Sequence, residues 1–85
     1  MFTTYILFSK KLNKFYIGST GDDIGHRLLK HLSNHKGFTG KAKDWELVYK
    51  EIFAEKHESI LREKQLKGWK SNVRIRELID RSTIE

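Results

Sequence analysis

One carboxylate in this chain stands where an apolar residue is expected. The i+3 row Ile60, Glu63, Leu66, Trp69 sets Glu63 one helical turn from a hydrophobe on either side. A carboxylate so placed needs a cation, a hydrogen bond or a metal to offset its desolvation. An ion pair with Lys64, Lys67 or Arg62 would meet that need without any further role. A second anomaly lies earlier in the chain. On a helix starting at Ile24, the core stripe falls at Ile24, Arg27, Leu28, His31 and Leu32, so Arg27 and His31 interrupt an apolar face. Arg27 alone could snorkel, and His31 alone could be a satisfied histidine near the core. Both together, on one stripe of a basic protein, make a functional site an equal expectation. Tyr5 and Tyr16 carry phenols on two short apolar segments, as cross-strand packing or as reactive groups. Gly18, inside the second segment, points to a bulge or to close approach of a ligand to the backbone.

The elements that must position these groups follow from local pattern. Residues 3–8 (TTYILF) are β-branched and aromatic and read as a strand, and 15–19 (FYIGS) as a second. The polar segment between them contains Asn13 and suits a hairpin loop, so the two strands pair antiparallel. Thr20, Gly21, Asp22 and Asp23 then form a turn whose aspartates complement the start of a helix over 24–34. Gly37 and Gly40 open a loop. Residues 45–53 (WELVYKEIF) form a third strand with Trp45, Leu47 and Tyr49 on one face, and Val48 and Ile52 complicating the other. His57 or Glu58 begins a second helix reaching Trp69, weakened near its end by Gly68. Ser71 or Asn72 caps a last helix through Ile79. The order β-β-α-β-α-α defines an α+β fold, a small three-stranded antiparallel sheet with an N-terminal hairpin and helices packed upon it.

At 85 residues, without proline, repeats or low-complexity tracts, the chain is expected to be one domain, 1–85. Lacking cysteine, it cannot use disulfides or a Cys-type zinc site, so two Trp, three Tyr, five Phe and the aliphatics must supply the core. The His31-x-x-x-His35 pair, with His26 nearby, lacks a recognisable third zinc ligand. Seventeen Lys and Arg against 11 Asp and Glu give a net charge of +6, which favours a polyanionic partner through counterion release and steering. No apolar stretch approaches the roughly 20 residues of a membrane span, and residues 1–5 lack a basic signal-peptide start. The cytoplasm is the default expectation.

These residues converge on a family. Tyr5-Ile6-Leu7 followed by Phe15-Tyr16-Ile17-Gly18 resembles the paired motif of the GIY-YIG nucleases, with Thr3 and Thr4 where that name has glycine and isoleucine. Arg27-Leu28-Leu29-Lys30-His31 resembles the family's Arg-x-x-x-His helix. Residues 59–69 (SILREKQLKGW) are similar to the helix carrying its metal-binding glutamate. That stretch and Trp45-Glu46-Leu47-Val48-Tyr49 look like the small stand-alone group related to the nuclease domain of UvrC. The resemblance spans residues 3–69.

The resemblance implies an endonuclease that hydrolyses nucleic-acid phosphodiesters, DNA before RNA, in repair or recombination. Its implied catalytic set is Tyr5, Tyr16, Arg27, His31 and Glu63. Glu63 would be the ligand of a single divalent metal, Mg2+ or Mn2+, since one carboxylate suits magnesium with a shell of waters and phosphate oxygens. Arg27 offers a permanently charged fork for phosphate. Water activation falls to Tyr5, with Tyr16 positioning phosphate or sharing the relay, or to His31. A phenol of pKa near 10 needs nearby positive charge to act at neutral pH, whereas an imidazole near 6.5 does not. Gly18, Lys41, Lys43, Lys67 and Lys70 are the expected nucleic-acid contacts. A module of the same fold that binds nucleic acid without cutting it is the competing expectation.

Overall fold

The computed structural model describes residues 1–21, 23–26, 28 and 43–82. Three strands form one antiparallel sheet in the order β2-β1-β3: β1 (Phe2–Ser9), β2 (Lys14–Thr20) and β3 (Glu46–Phe53). Two helices follow, α1 (Lys56–Trp69) and α2 (Asn72–Ser82). Ile24, Gly25, His26 and Leu28 are helical, and the rest of the helix expected over 24–34 lies outside the described residues, as do Gly37 and Gly40.

Central β1 is covered on both faces, as its unbroken run of β-branched and aromatic residues requires. On one face, Tyr5 and Leu7 pack with Trp45, and Leu12, Tyr16, Ile24, Leu28 and Leu47 close around them. On the other, Ile6 packs with Leu66 of α1 and Ile75 of α2. The second face is therefore the helix face, and strand alternation assigns the remaining side chains. Thr4 lies on it and donates from Oγ1 to the Ser59 carbonyl at 2.7 Å. Ser59 is buried, and a small residue there lets α1 approach the strand closely. Ser59 also bonds the Lys56 carbonyl at 2.9 Å, and no buried hydroxyl among the described residues is stranded.

The expected strand faces need one correction. Ile6 pairs with Tyr49 but Leu7 pairs with Leu47, so Val48 is an extra residue in a β-bulge. The bulge reverses the alternation. Trp45 and Leu47 stay on the tyrosine face, whereas Tyr49 joins Val48 on the helix face. Tyr49 donates there to Glu51, which also takes Arg62 of α1 in a forked pair, Nε to both oxygens at 3.1 Å. Burial and the adjacent carboxylate push the Tyr49 phenol up. Burial opposes the Arg62 charge, but its bonds to Glu51 and Tyr49 outweigh that and raise its pKa. This cluster ties α1 to β3.

The helix ends are closed by local chemistry. Glu58 accepts the Glu55 N–H at 3.2 Å in a reciprocal capping box that starts α1. Lys70 ends the helix in the left-handed region, φ 51°. Ser71 then caps α2, accepting the Arg74 N–H on Oγ at 3.3 Å. Ile75, Leu78 and Ile79, spaced i, i+3, i+4, turn inward.

Asp44 clamps the hairpin. Its carboxylate accepts from Ser9 Oγ at 2.7 Å and from the Lys11 N–H at 2.8 Å, and Ser9 Oγ in turn accepts the Leu12 N–H at 3.1 Å. Asn13, at φ 52°, supplies the left-handed step that the turn needs. The Ser9 and Lys11 hydrogen bonds hold the Asp44 carboxyl below its ordinary 3.8. A depressed pKa contributes stability that is complete above the unfolded value and lost as pH falls through the folded one. Asp44→Asn should therefore be less stable than wild type in urea at pH 7, and the gap should narrow once pH drops below 3.8. A gap that stays constant down to acid unfolding would contradict the clamp.

Candidate active site

Tyr5 sits in the middle of β1, opposite Gly18 of β2 and Lys50 of β3. Its ring crosses toward the edge strand and lies over Gly18. A Cβ built on Gly18 would stand 2.6 Å from the Tyr5 hydroxyl oxygen and 2.8 Å from Cζ. Gly18 is itself buried, so the backbone's close neighbour here is the Tyr5 phenol. Tyr16 pairs with Leu7 on the same face, its ring 6.5 Å from that of Tyr5 and 6.4 Å, edge-on, from that of Trp45. The two phenols differ in access. Tyr5 is 1% exposed, whereas Tyr16 is only partly buried.

Glu63 lies on α1, on the opposite face of the sheet. Its Oε1 accepts from Ser19 Oγ at 2.7 Å, and its Oε2 accepts from Lys67 Nζ at 2.6 Å. Two of the three offsets that the sequence allowed for a desolvated carboxylate are thus present, one a hydrogen bond and one a cation. Of the three cations expected as partners, Lys67 is the one engaged, and Arg62 is committed to Glu51. The two holds are unequal. Ser19 belongs to the sheet, whereas the Lys67 side chain is 52% exposed. An exposed i, i+4 pair of this kind is worth only about 0.3–0.5 kcal/mol.

Ser19 joins the two halves of the site. It follows Gly18 directly, so the chain places the Tyr5 phenol above one residue of β2 and the Glu63 carboxylate below the next. β2 is an edge strand of the sheet among the described residues. Tyr5 and Glu63 are thus tied to neighbouring residues of β2 from opposite faces of the sheet, with Tyr16 on the Tyr5 face. A depression of about 380 Å³ on the tyrosine face lies further along β1 and is lined by Met1, Thr3, Gly21, Asp23, Ile24, Lys50 and Ile52. Neither phenol nor Glu63 lines it.

Arg27, His31, His35 and Lys41 lie outside the described residues. Lys43 and Lys70 are exposed, at the approach to β3 and between the helices. Among the described residues, no three His, Cys, Asp or Glu side chains group to hold a metal, and His26 is exposed. A metal here would rest on one carboxylate. Glu63 fits that demand: one oxygen is fixed by a neutral hydroxyl, and the other faces a cation on an exposed side chain. A single carboxylate of this kind could take one position of a divalent ion whose shell is completed by waters and phosphate oxygens.

Ser19 escaped the sequence reading, where it was only the end of a strand. The available signal was its place, next to Gly18 and facing away from Tyr5.

A β-hairpin carrying two phenols, with an acid-bearing helix beneath its edge strand, makes this a small α+β domain. The chain belongs to the GIY-YIG nuclease family, whose model, described as the GIY-YIG catalytic domain, matches residues 1–76. That match covers nearly the whole chain and marks it as an endonuclease acting on nucleic acid. Among curated proteins there is no match. Solved structures likewise give none. No helix among the described residues is long and apolar enough to cross a membrane.

The packing of Tyr5 over Gly18 generates a direct test. Gly18→Ala should destabilise the protein by about 1–3 kcal/mol, the usual cost of overpacking. In a double-mutant cycle, Tyr5→Phe should recover part of that loss, because it removes the closer of the two clashing atoms. Strict additivity in urea denaturation would contradict the contact.

Proposed function

We propose that this chain, acting as one domain, is a divalent-metal-dependent endonuclease that hydrolyses DNA phosphodiesters at the edge of β2. The observation that carries this reading is the Glu63 carboxylate, fixed by Ser19 on one oxygen and paired on the other with an exposed lysine.

Glu63 would hold Mg2+ or Mn2+ through the oxygen that Lys67 now occupies. The bound metal would polarise the phosphate and relieve its charge. The protein's own groups supply the rest. A phosphate reaching the β2 edge would meet the partly buried Tyr16 before the buried Tyr5, which packs over Gly18, braces the strand and orients the backbone there. Of the two phenols, Tyr16 therefore has the better access to share in moving a proton from water. Arg27 is assigned the transition-state phosphate, and His31 is the alternative base. Lys41, Lys43, Lys67 and Lys70 would contact the substrate backbone, which carries no sequence information. A surface this small favours recognition of shape over sequence, since single modules already need about 600 Å² for modest readout. Branched or nicked DNA of the kind met in repair and recombination is the substrate class to try first.

The test is a panel of nicked, branched and linear DNA incubated with Mg2+ or with EDTA. Wild type should cut with Mg2+ and not with EDTA. Glu63→Gln should lose at least about a hundredfold in rate, the scale expected for a lost transition-state electrostatic group, while binding the same DNA as tightly in EDTA. Binding without cleavage by wild type in any metal would favour the non-catalytic module instead.

A further inference from the structure

A carboxylate that is to receive a metal poses a problem in the free protein. It is partly desolvated, at 20% side-chain exposure, and would stand as an uncompensated charge against the sheet. The structure meets this with two partners of different kinds. Ser19 comes from an element 44 residues away and is fixed by the β1–β2 ladder, so its hydroxyl sets the rotation of the carboxyl plane. Lys67 comes from one turn along the same helix, and its ammonium sits at 2.6 Å on the outward oxygen. A monovalent cation thus covers the atom that a divalent one would need, on a side chain able to swing into solvent.

Resting on the assignment of Glu63 as the metal ligand, we propose that Lys67 is a displaceable placeholder that tunes metal affinity and that Ser19 is the residue positioning the carboxylate for the metal. The two act in opposite senses. Displacing Lys67 subtracts from metal binding, because the apparent affinity is scaled by the fraction of carboxylate not engaged by the ammonium. Ser19 adds to it, because its hydrogen bond is compatible with a metal on the other oxygen and reduces the rotational freedom that binding must remove.

The experiment measures Mn2+ alone, by calorimetry or by the electron paramagnetic resonance of free Mn2+, on the full chain without nucleic acid. Lys67→Gln should bind Mn2+ about two- to fivefold more tightly, the range set by an exposed ion pair, at an unchanged melting temperature. Ser19→Ala should bind about three- to tenfold more weakly, and Ser19→Thr should restore most of the loss. Lys67→Gln with unchanged or weaker Mn2+ affinity overturns the placeholder role, and so does a lowered melting temperature without a change in affinity, which would make the pair a helix brace. Ser19→Ala with wild-type affinity overturns the positioning role. Glu63→Gln separates these failures from that of the underlying assignment. If it abolishes Mn2+ binding, the ligand stands and the other variants decide, whereas full binding by Glu63→Gln refutes the ligand itself.

Discussion

The hydrogen bond from Ser19 Oγ to Glu63 Oε1 is the contact on which the proposed site depends. It joins the edge strand of an N-terminal hairpin to a helix much later in the chain, and without it the acid and the phenols would belong to separate parts of the molecule. Its geometry is inherited. Ser19 is held by its register opposite Thr4, and Thr4 is itself bonded to the Ser59 carbonyl one turn before Glu63 on α1. Two neighbouring positions of the β1–β2 ladder therefore fix the height and rotation of the helix that carries the carboxylate. Each such bond contributes only about 1 kcal/mol. Their effect is to select one arrangement of a helix that hydrophobic contact alone would allow to slide.

Gly18 serves the same end from the opposite face. Because it has no side chain, the Tyr5 phenol can pack closely against the edge strand. The strand is thus braced by an aromatic on one side and by an acid-bearing helix on the other. A thin edge strand between two chemically different faces suits a phosphodiester, which presents one scissile bond to groups arriving from several directions. The Glu51, Arg62 and Tyr49 cluster performs the matching task at the other edge, holding α1 against β3.

Much of this was legible in the residues. The hairpin, the third strand and both later helices were readable from TTYILF, FYIGS, WELVYKEIF and the i+3 row through Glu63, with ends shifted by one or two residues and the last helix running three residues past Ile79. Tyr49 was assigned to the wrong face because Val48, the bulged residue, is as apolar as its neighbours and leaves no break in the pattern. The anomaly at Glu63 was visible, and its ionic partner was among the three lysines and arginines named. Ser19 and Asp44 were not visible. A hydroxyl at a strand end and an aspartate before a tryptophan look ordinary, and their roles arise only from tertiary contacts at long range. The contrast between buried Tyr5 and accessible Tyr16 was hidden for the same reason, since both stand at equivalent places in their strands.

The most direct measurement of the central claim is paramagnetic broadening of the amide NMR spectrum during titration with trace Mn2+. If Glu63 holds the metal beneath the β2 edge, the signals of Gly18, Ser19, Glu63 and Lys67 should broaden first, ahead of those at the C-terminal end of α2. Broadening centred on Glu77 and Asp80, with the β2 signals left sharp, would contradict it.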